Sequence, residues 1–401
     1  MANDAAATVP AIVVGRAQTG LGTLRSLRLA GIPAYAACPR DDLVCRSRWF
    51  RPVPGNGWDG NPGPETRDIL AGIPLARAVL IPGRDDAALW ASDLPHGSLA
   101  ERFPVCSSSR ATLTILQDKS RFGEFLAGTG IPHPRTFTIR SDTDIAAIPF
   151  DALDRVFVKP ADSQKFMQAM GVKGLWARNR AEFEAIWRRL ETQQLAVIAQ
   201  EYVPGGADQH YFIDGFRDRH GRVTGLFARR RLRISPPDFG SSSYCISIPL
   251  GDVEPALPGL TELLTRLEYR GIFSAEFKRD ARDGALRILE VNTRAWWYVE
   301  FAARCGVNVV EMAYLDALEQ EVPRAPDYTV GAGCVNLTND LRIVLGRRGR
   351  SGASLPKVLR QWRRAHFAVF RWDDPLPGLA VAARMFTRWM RNRVRSRARG
   401  A

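Results

Sequence analysis

Long apolar runs are missing from this 401-residue chain: no stretch approaches the ~18 consecutive apolar residues that a membrane-spanning helix needs. Cysteine is sparse and unpatterned. Cys38, Cys45, Cys106, Cys245, Cys305 and Cys334 show no CxxC or other metal-type spacing, so neither a zinc site nor a disulfide framework is expected, and each reads as a small buried hydrophobe. There are only five histidines, none grouped with a serine or cysteine in the manner of a catalytic nucleophile and its base. The opening MANDAAATVPAIVVG lacks a basic stretch followed by an apolar one, so it reads as the start of a cytosolic domain, and the expected location is the cytoplasm. Acidic residues nearly vanish at the other end, where residues 341–401 hold 16 Lys and Arg against Asp373 and Asp374. The first 340 residues are balanced, 40 basic against 40 acidic, so the net charge of +14 belongs wholly to the C-terminal stretch. A neutral body without helix-turn-helix, zinc or RNP signatures argues against a nucleic-acid binder.

What is present is ordinary globular usage, 45% hydrophobic and 24% charged, which excludes disorder and at this length implies roughly two to three domains. AIVV (11–14), a glycine-containing turn, an apolar-periodic segment through Leu21, Leu24 and Leu27, and then IPAYAAC predict strand, helix, strand. RAVLI at 77–81 repeats the theme, so the first hundred or so residues read as an α/β layer with parallel strands. Gly15, Gly20 and Gly22 do not fit GxGxxG, and no acidic residue ends the second strand, so the turn reads as structural and not as a dinucleotide site. Further on, residues 200–295 are mostly strand, an α+β arrangement.

The most informative segment is GIFSAEFKRDARDGALRILEVNTRAWW, residues 271–297. Asp283-Gly284 predicts a two-residue hairpin turn, which places residue 276 opposite about residue 291. Side chains alternate along a strand, so Glu276, Glu290 and Asn292 share a polar face. Two carboxylates and an amide oxygen at such separation suit a hard cation such as Mg²⁺; a solvated face paired with Lys278 and Arg294 is the plain alternative. Lys159 closes the apolar strand VFVKP, and Lys119 opens a helix after Asp118. QEYVPG (200–205) ends a strand at a hinge, and Arg231 and Arg233 alternate onto one strand face as forked donors for phosphate or carboxylate. Together these features suggest a triphosphate held between two lobes. His210 reads as a structural strand residue before it reads as a proton carrier.

At these residues the chain resembles the ATP-grasp superfamily, from about Val9 to Leu318. DKSRFGEFLAGTGIPHPRTF looks like the entry to the lid subdomain, VFVKP like the strand with the phosphate-binding lysine, QEYV like the adenine hinge, and AEFKRD with LEVNTR like the paired metal-ligand strands. RRLRISPPDFGSSS and EVNTRAWWYVEFAARCGVN look most like bacterial carboxylate–amine ligases of the D-aspartate ligase type. The resemblance implies an ATP-grasp fold, α/β and α+β, with a Rossmann-like pre-ATP-grasp domain over 1–115. It implies a lid subdomain over 116–202, a C-terminal subdomain with the metal site over 203–325, and a basic extension over 326–401. It further implies that Lys119 and Lys159 hold ATP phosphates, that Gln200, Glu201 and Val203 form the adenosine hinge, and that Glu276, Glu290 and Asn292 hold Mg²⁺, with Mn²⁺ as an alternative. Arg294, Arg231 and Arg233 would face the acyl phosphate or substrate carboxylate. The loop after Lys159, PADSQKFMQAMGVKG, departs from the family's Gly- and Ser-rich pattern and leaves Lys165 or Lys173 open as a replacement.

The expected activity is therefore ADP-forming ligation of a carboxylate to an amine through an acyl phosphate, with small-molecule substrates and a homodimer left open. The rival expectations are a nucleotide binder without catalysis and a surface binder acting through the basic tail. In that tail Leu379, Ala383, Phe386, Met390 and Val394 form an apolar stripe at helical spacing, Arg384, Arg388, Arg391 and Arg395 form a second face, and Trp389 stands at their boundary. Such a helix either touches an anionic membrane surface, at the inner face in this case, or packs on the protein itself.

Overall fold

The computed structural model describes residues 8–55, 57–160, 174–192, 197–236, 240–345 and 354–398. Lys165 and Lys173 lie outside the described residues. AIVV forms a fully buried strand β1 (Ala11–Val14), flanked in parallel by β2 (Ala34–Ala37) and β3 (Val79–Pro82) in the order β2-β1-β3. Parallel neighbours need a crossover, and the helix Ala17–Leu29 supplies it, burying Leu21, Leu24 and Leu27 at roughly 1.5–3 kcal/mol each. Gly20 allows that helix to start against β1, because a Cβ there would meet the carbonyl group of Gly15 at 2.7 Å.

Among the described residues the other strands form two sheets. One has four strands in the order β4-β7-β5-β6: Thr136–Ile139, Val197–Glu201, Val156–Pro160 and Leu175–Ala177. Its apolar face packs on Phe183, Trp187 and Leu190 of the helix Arg180–Glu191. The larger sheet runs β12-β11-β8-β9-β10-β13-β14. Here β8 is His210–Arg217, β9 Val223–Ser235, β10 Ser241–Ser247, β11 Gly271–Arg279, β12 Leu286–Asn292, β13 Gly333–Val335 and β14 Ala365–Phe367. One face of its β8–β11–β12 side buries Ile213, Phe273, Ala275, Ile288 and Val291 against Leu260, Leu263 and Leu264 of the helix Leu257–Arg266 and against the helices Arg110–Gln117 and Lys119–Ala127. The opposite face carries the polar side chains described below.

The C-terminal stretch departs from the expected extension over 326–401. β13 pairs antiparallel with β10, β14 pairs with β13, and Asp374 is fully buried. Asp374 accepts from Arg25 Nε (3.1 Å) and Nη2 (2.9 Å), Ser47 Oγ (2.8 Å) and the Arg48 N–H (2.8 Å). A buried guanidinium demands such acceptors, so Asp374 and the strands β13 and β14 before it are part of the body. Beyond it lies the helix Leu376–Ala398. Among the described residues no helix is long and apolar enough to cross a membrane.

Candidate active site

The hairpin β11–β12 sets the acidic pair. Its turn is wider than the two residues expected at Asp283-Gly284: the Asp280 N–H donates to Ala285 O, and Gly284 closes the loop at φ +76°. Lys278 then pairs with Arg287 and Phe277 with Ile288, after which a bulge shifts the register, so Glu276 faces Glu290 directly and Ser274 faces Asn292. The residue opposite Glu276 is therefore 290 and not 291, because the turn and the bulge each displace the register and an alternation count sees neither. Directly opposed carboxylates repel. Their compensation comes from the neighbouring strands and from across the cleft.

Arg231 of β9 donates to Glu276 Oε1 (3.2 Å), and His210 Nδ1 of β8 lies 2.6 Å from the same oxygen. Burial alone would raise the Glu276 carboxyl, but the Arg231 guanidinium and the His210 contact hold it well below the usual carboxylate range. Glu290 moves the other way: the crowding protein and the Glu276 charge raise it, with Lys159 and Lys119 pulling against them. Burial lowers Lys159, while Glu290 opposes that shift. Burial, Arg155 and Arg231 together push Lys278 down to about 8.

A cleft of about 280 Å³ lies between the two larger sheets, and its walls include Lys119, Lys159, Gln200, Glu290, Asn292 and Asp85. Lys159 and Gln200 reach it from the four-stranded sheet, where Lys159 Nζ donates to Gln200 Oε1 at 2.6 Å. Lys119 occupies the first turn of a helix whose cap, Asp118, accepts from the N–H groups of Ser120 and Arg121. Asn292 Nδ2 donates to Glu290 Oε1 at 3.3 Å, which leaves its own carbonyl oxygen outside that bond. Among the described residues no group of three or more His, Cys, Asp or Glu gathers as a metal cluster. Glu290 and Asn292 line the cleft, and Glu276 is the cross-strand partner of Glu290.

Other expected residues are placed differently. The Glu201 carboxylate turns to Arg282 (2.8 Å) and accepts from the Arg135 N–H (3.1 Å), and the Val203 side chain is buried, so for a ligand both offer only main chain. Arg233 does not extend the forked array with Arg231. Its guanidinium is buried on Asp340 (2.8 and 2.7 Å) and donates to Gln361, while Trp362 Nε1 donates to Asp340 as well. Arg233 thus fastens the C-terminal helices to β9, because a buried carboxylate at 340 captures it. Arg294 holds Asp85 through two hydrogen bonds (2.9 and 3.2 Å) at the cleft edge.

Sequence reasoning missed the buried set behind Glu276. Arg229 donates to Asp214 Oδ2 at 2.6 Å, and Ser274 Oγ donates to Asp214 Oδ1 at 2.6 Å. A signal existed: His210 and Asp214 alternate on β8, and Arg229 belongs to the same row as Arg231 and Arg233 on β9.

No family model matches the chain. The D-aspartate ligase of Enterococcus faecium (strain Aus0004) is 23% identical over 211 residues, which cover 50% of this chain and 49% of that protein. The chain thus spans about half the length of that relative. The D-alanine--D-alanine ligase of Neisseria meningitidis serogroup B (strain ATCC BAA-335 / MC58) is 24% identical over 281 residues, 69% of this chain and 81% of that one. Among solved structures, N5-carboxyaminoimidazole synthetase from Staphylococcus aureus complexed with ADP matches with a TM-score of 0.63 and 15% identity, covering 84% of this chain and 85% of that one. Sheet order and solved structures converge: the chain has the ATP-grasp fold, and in sequence it is similar to the two ligases named above.

Proposed function

We propose that the protein is an ADP-forming ligase that joins a carboxylate to an amine through an acyl phosphate. One observation carries the reading: Glu290, cross-strand partner of Glu276, lines one cleft together with Asn292, Lys119 and Lys159. A polyphosphate is the ligand class that needs cations on one side and a carboxylate-bound cation on the other. The donor set fits Mg²⁺ or Mn²⁺, since Glu276, Glu290 and Asn292 offer hard oxygen atoms and the two carboxylates face each other without a cation of their own on the Glu290 side. Bound there, the ion would neutralise phosphate oxygens.

The chain's own residues do the rest. Lys159, held on Gln200, and Lys119, on its helix turn, bind the ATP phosphates. Arg231 fixes Glu276 in its ionised form and orients it. Arg294, at the cleft edge on Asp85, receives the substrate carboxylate. That carboxylate oxygen attacks the γ-phosphorus and ADP leaves; an amine then attacks the acyl carbon, phosphate leaves, and the amine nitrogen gives up its proton. No enzyme nucleophile is required, because alignment and charge neutralisation supply the rate. The names of both curated relatives point to a D-amino acid as the carboxylate. The test is a panel of amino acids and amines scored by ADP formation, with mass detection of the product. Tight ATP binding without amine-dependent phosphate release would replace the ligase with a nucleotide-binding protein.

A further inference from the structure

Alternation divides the four-stranded sheet into two faces. Val156, Val158, Val197 and Ala199 enter the core on one face. The other holds Thr136 of β4, Gln200 of β7, and Phe157 and Lys159 of β5. Thr136 stands opposite Gln200, Gln200 opposite Phe157, and Lys159 two residues further along the same face. Thr136, Gln200 and Lys159 all line the cleft.

Lys159 is the charged member of this group, and what it meets on its own sheet is neutral. Its ammonium donates to Gln200 Oε1 at 2.6 Å and lies 5.3 Å from the centre of the Phe157 ring. Among the described residues it makes no ion pair, and the charges that act on it, Glu290, Lys119 and Glu276, all lie off this sheet. A glutamine amide can turn either end to a neighbour, and only its oxygen suits an ammonium. The far end decides. Gln200 Nε2 donates to Thr136 Oγ1 at 3.0 Å, and the Thr136 hydroxyl gives its own proton to Pro134 O at 3.2 Å. Thr136 can therefore only accept from Gln200, which turns the amide oxygen to Lys159. The helix Lys119–Ala127 presses on the other side of the threonine: a Cβ on Gly123 would stand 2.8 Å from Thr136 Cβ and Cγ2.

We propose that Thr136 and Gln200 are positioning residues for Lys159, a relay that holds the ammonium at the cleft on a neutral acceptor and keeps its charge for the phosphates of ATP. The chemistry of the alternatives supports this choice of side chain. A carboxylate at 200 would grip the lysine harder but cancel the charge that a phosphate needs. An apolar side chain there would leave the ammonium desolvated with no acceptor. The relay rests on the reading of the cleft as a nucleotide site and adds to it how the lysine is kept in place and unpaired.

The test is calorimetric binding of MgATP to the full chain, read beside the melting temperature without nucleotide. Gln200→Glu is expected to lose about tenfold or more in affinity and to melt no lower than wild type; a merely structural glutamine would move both together or neither. Thr136→Val keeps the shape but lets the amide turn its nitrogen to the lysine, and should lose about tenfold. Thr136→Ser, which restores the hydroxyl, should recover most of that loss. Affinity within about twofold of wild type in either Gln200→Glu or Thr136→Val overturns the relay, as does a Thr136→Val defect that Thr136→Ser fails to recover. A wild-type chain that binds no MgATP would instead remove the nucleotide reading, and the relay with it.

Discussion

Replacing Glu290 by Gln should move stability and activity in opposite directions. The substitution keeps the shape of a side chain that faces Glu276 across the hairpin and removes its charge. Cross-strand neighbours stand about 5 Å apart, so at an effective dielectric of about 20 two such charges repel by about 3 kcal/mol. Burial adds to this penalty, Lys159 and Lys119 oppose it, and the balance stands against the ionised form. The direction agrees with the carboxyl being raised above its usual range. A raised carboxyl contributes stability that is present when it is protonated and lost as pH climbs through the folded value, so at pH 7 the wild type lacks it and the Gln variant, uncharged at any pH, keeps it. In EDTA at pH 7 the variant should therefore melt higher, with the gap closing below pH 4.5, the unperturbed value. With saturating Mg²⁺ and ADP the order should reverse, because the ligand stabilises wild type by mass action and the variant has lost a ligating oxygen's charge. Ligation should fall about 100-fold or more. Differential scanning fluorimetry in the two buffers, paired with an ADP-release assay, reads both signs. A variant that melts below wild type in EDTA, or that retains activity within about threefold, refutes the reasoning.

Lys159→Ala should chiefly weaken ATP binding, measured by calorimetry, with secondary structure unchanged; equal affinity would mean that the lysine serves only Gln200. Arg233→Ala should cost about 3–5 kcal/mol of stability by stranding the buried Asp340, while kcat of the folded enzyme stays within a few-fold; a selective loss of kcat at unchanged stability would return Arg233 to the substrate. Asp374→Ala should destabilise by a similar ~3–5 kcal/mol in urea titration, and a double change with Arg25→Met should recover part of it. Simple additivity of the two would show that the buried pair is not coupled.

What the sequence made legible was whatever depends on near neighbours. AIVV is buried on both sides and reads as a strand without help, and a lysine ending VFVKP stands out because nothing else in that strand is charged. Glu276, Glu290 and Asn292 were found because alternation over a few residues is local, whereas the bulge that places 276 opposite 290 depends on how β8 and β12 both grip β11. Arg233 illustrates the limit. Its alternation with Arg231 is visible, but its partner Asp340 is 107 positions away, and only the fold tells a guanidinium aimed at ligand from one already held. The same distance effect concealed the role of residues 333–374, whose basic composition says nothing of the two strands they add to the central sheet.

The Arg25–Asp374 pair sets an order on synthesis. Arg25 lies fully buried in the first crossover helix, and its side-chain partners, Glu300 and Asp374, follow 275 and 349 residues later. At about 5–20 residues per second, roughly 20–70 s separate the emergence of the arginine from that of its last acceptor. Until then the guanidinium has at most Glu300 to meet it, so its set of acceptors is complete only once Asp374 has emerged. The first crossover helix waits for a residue far along the chain, and that interval is where a holding chaperone would act.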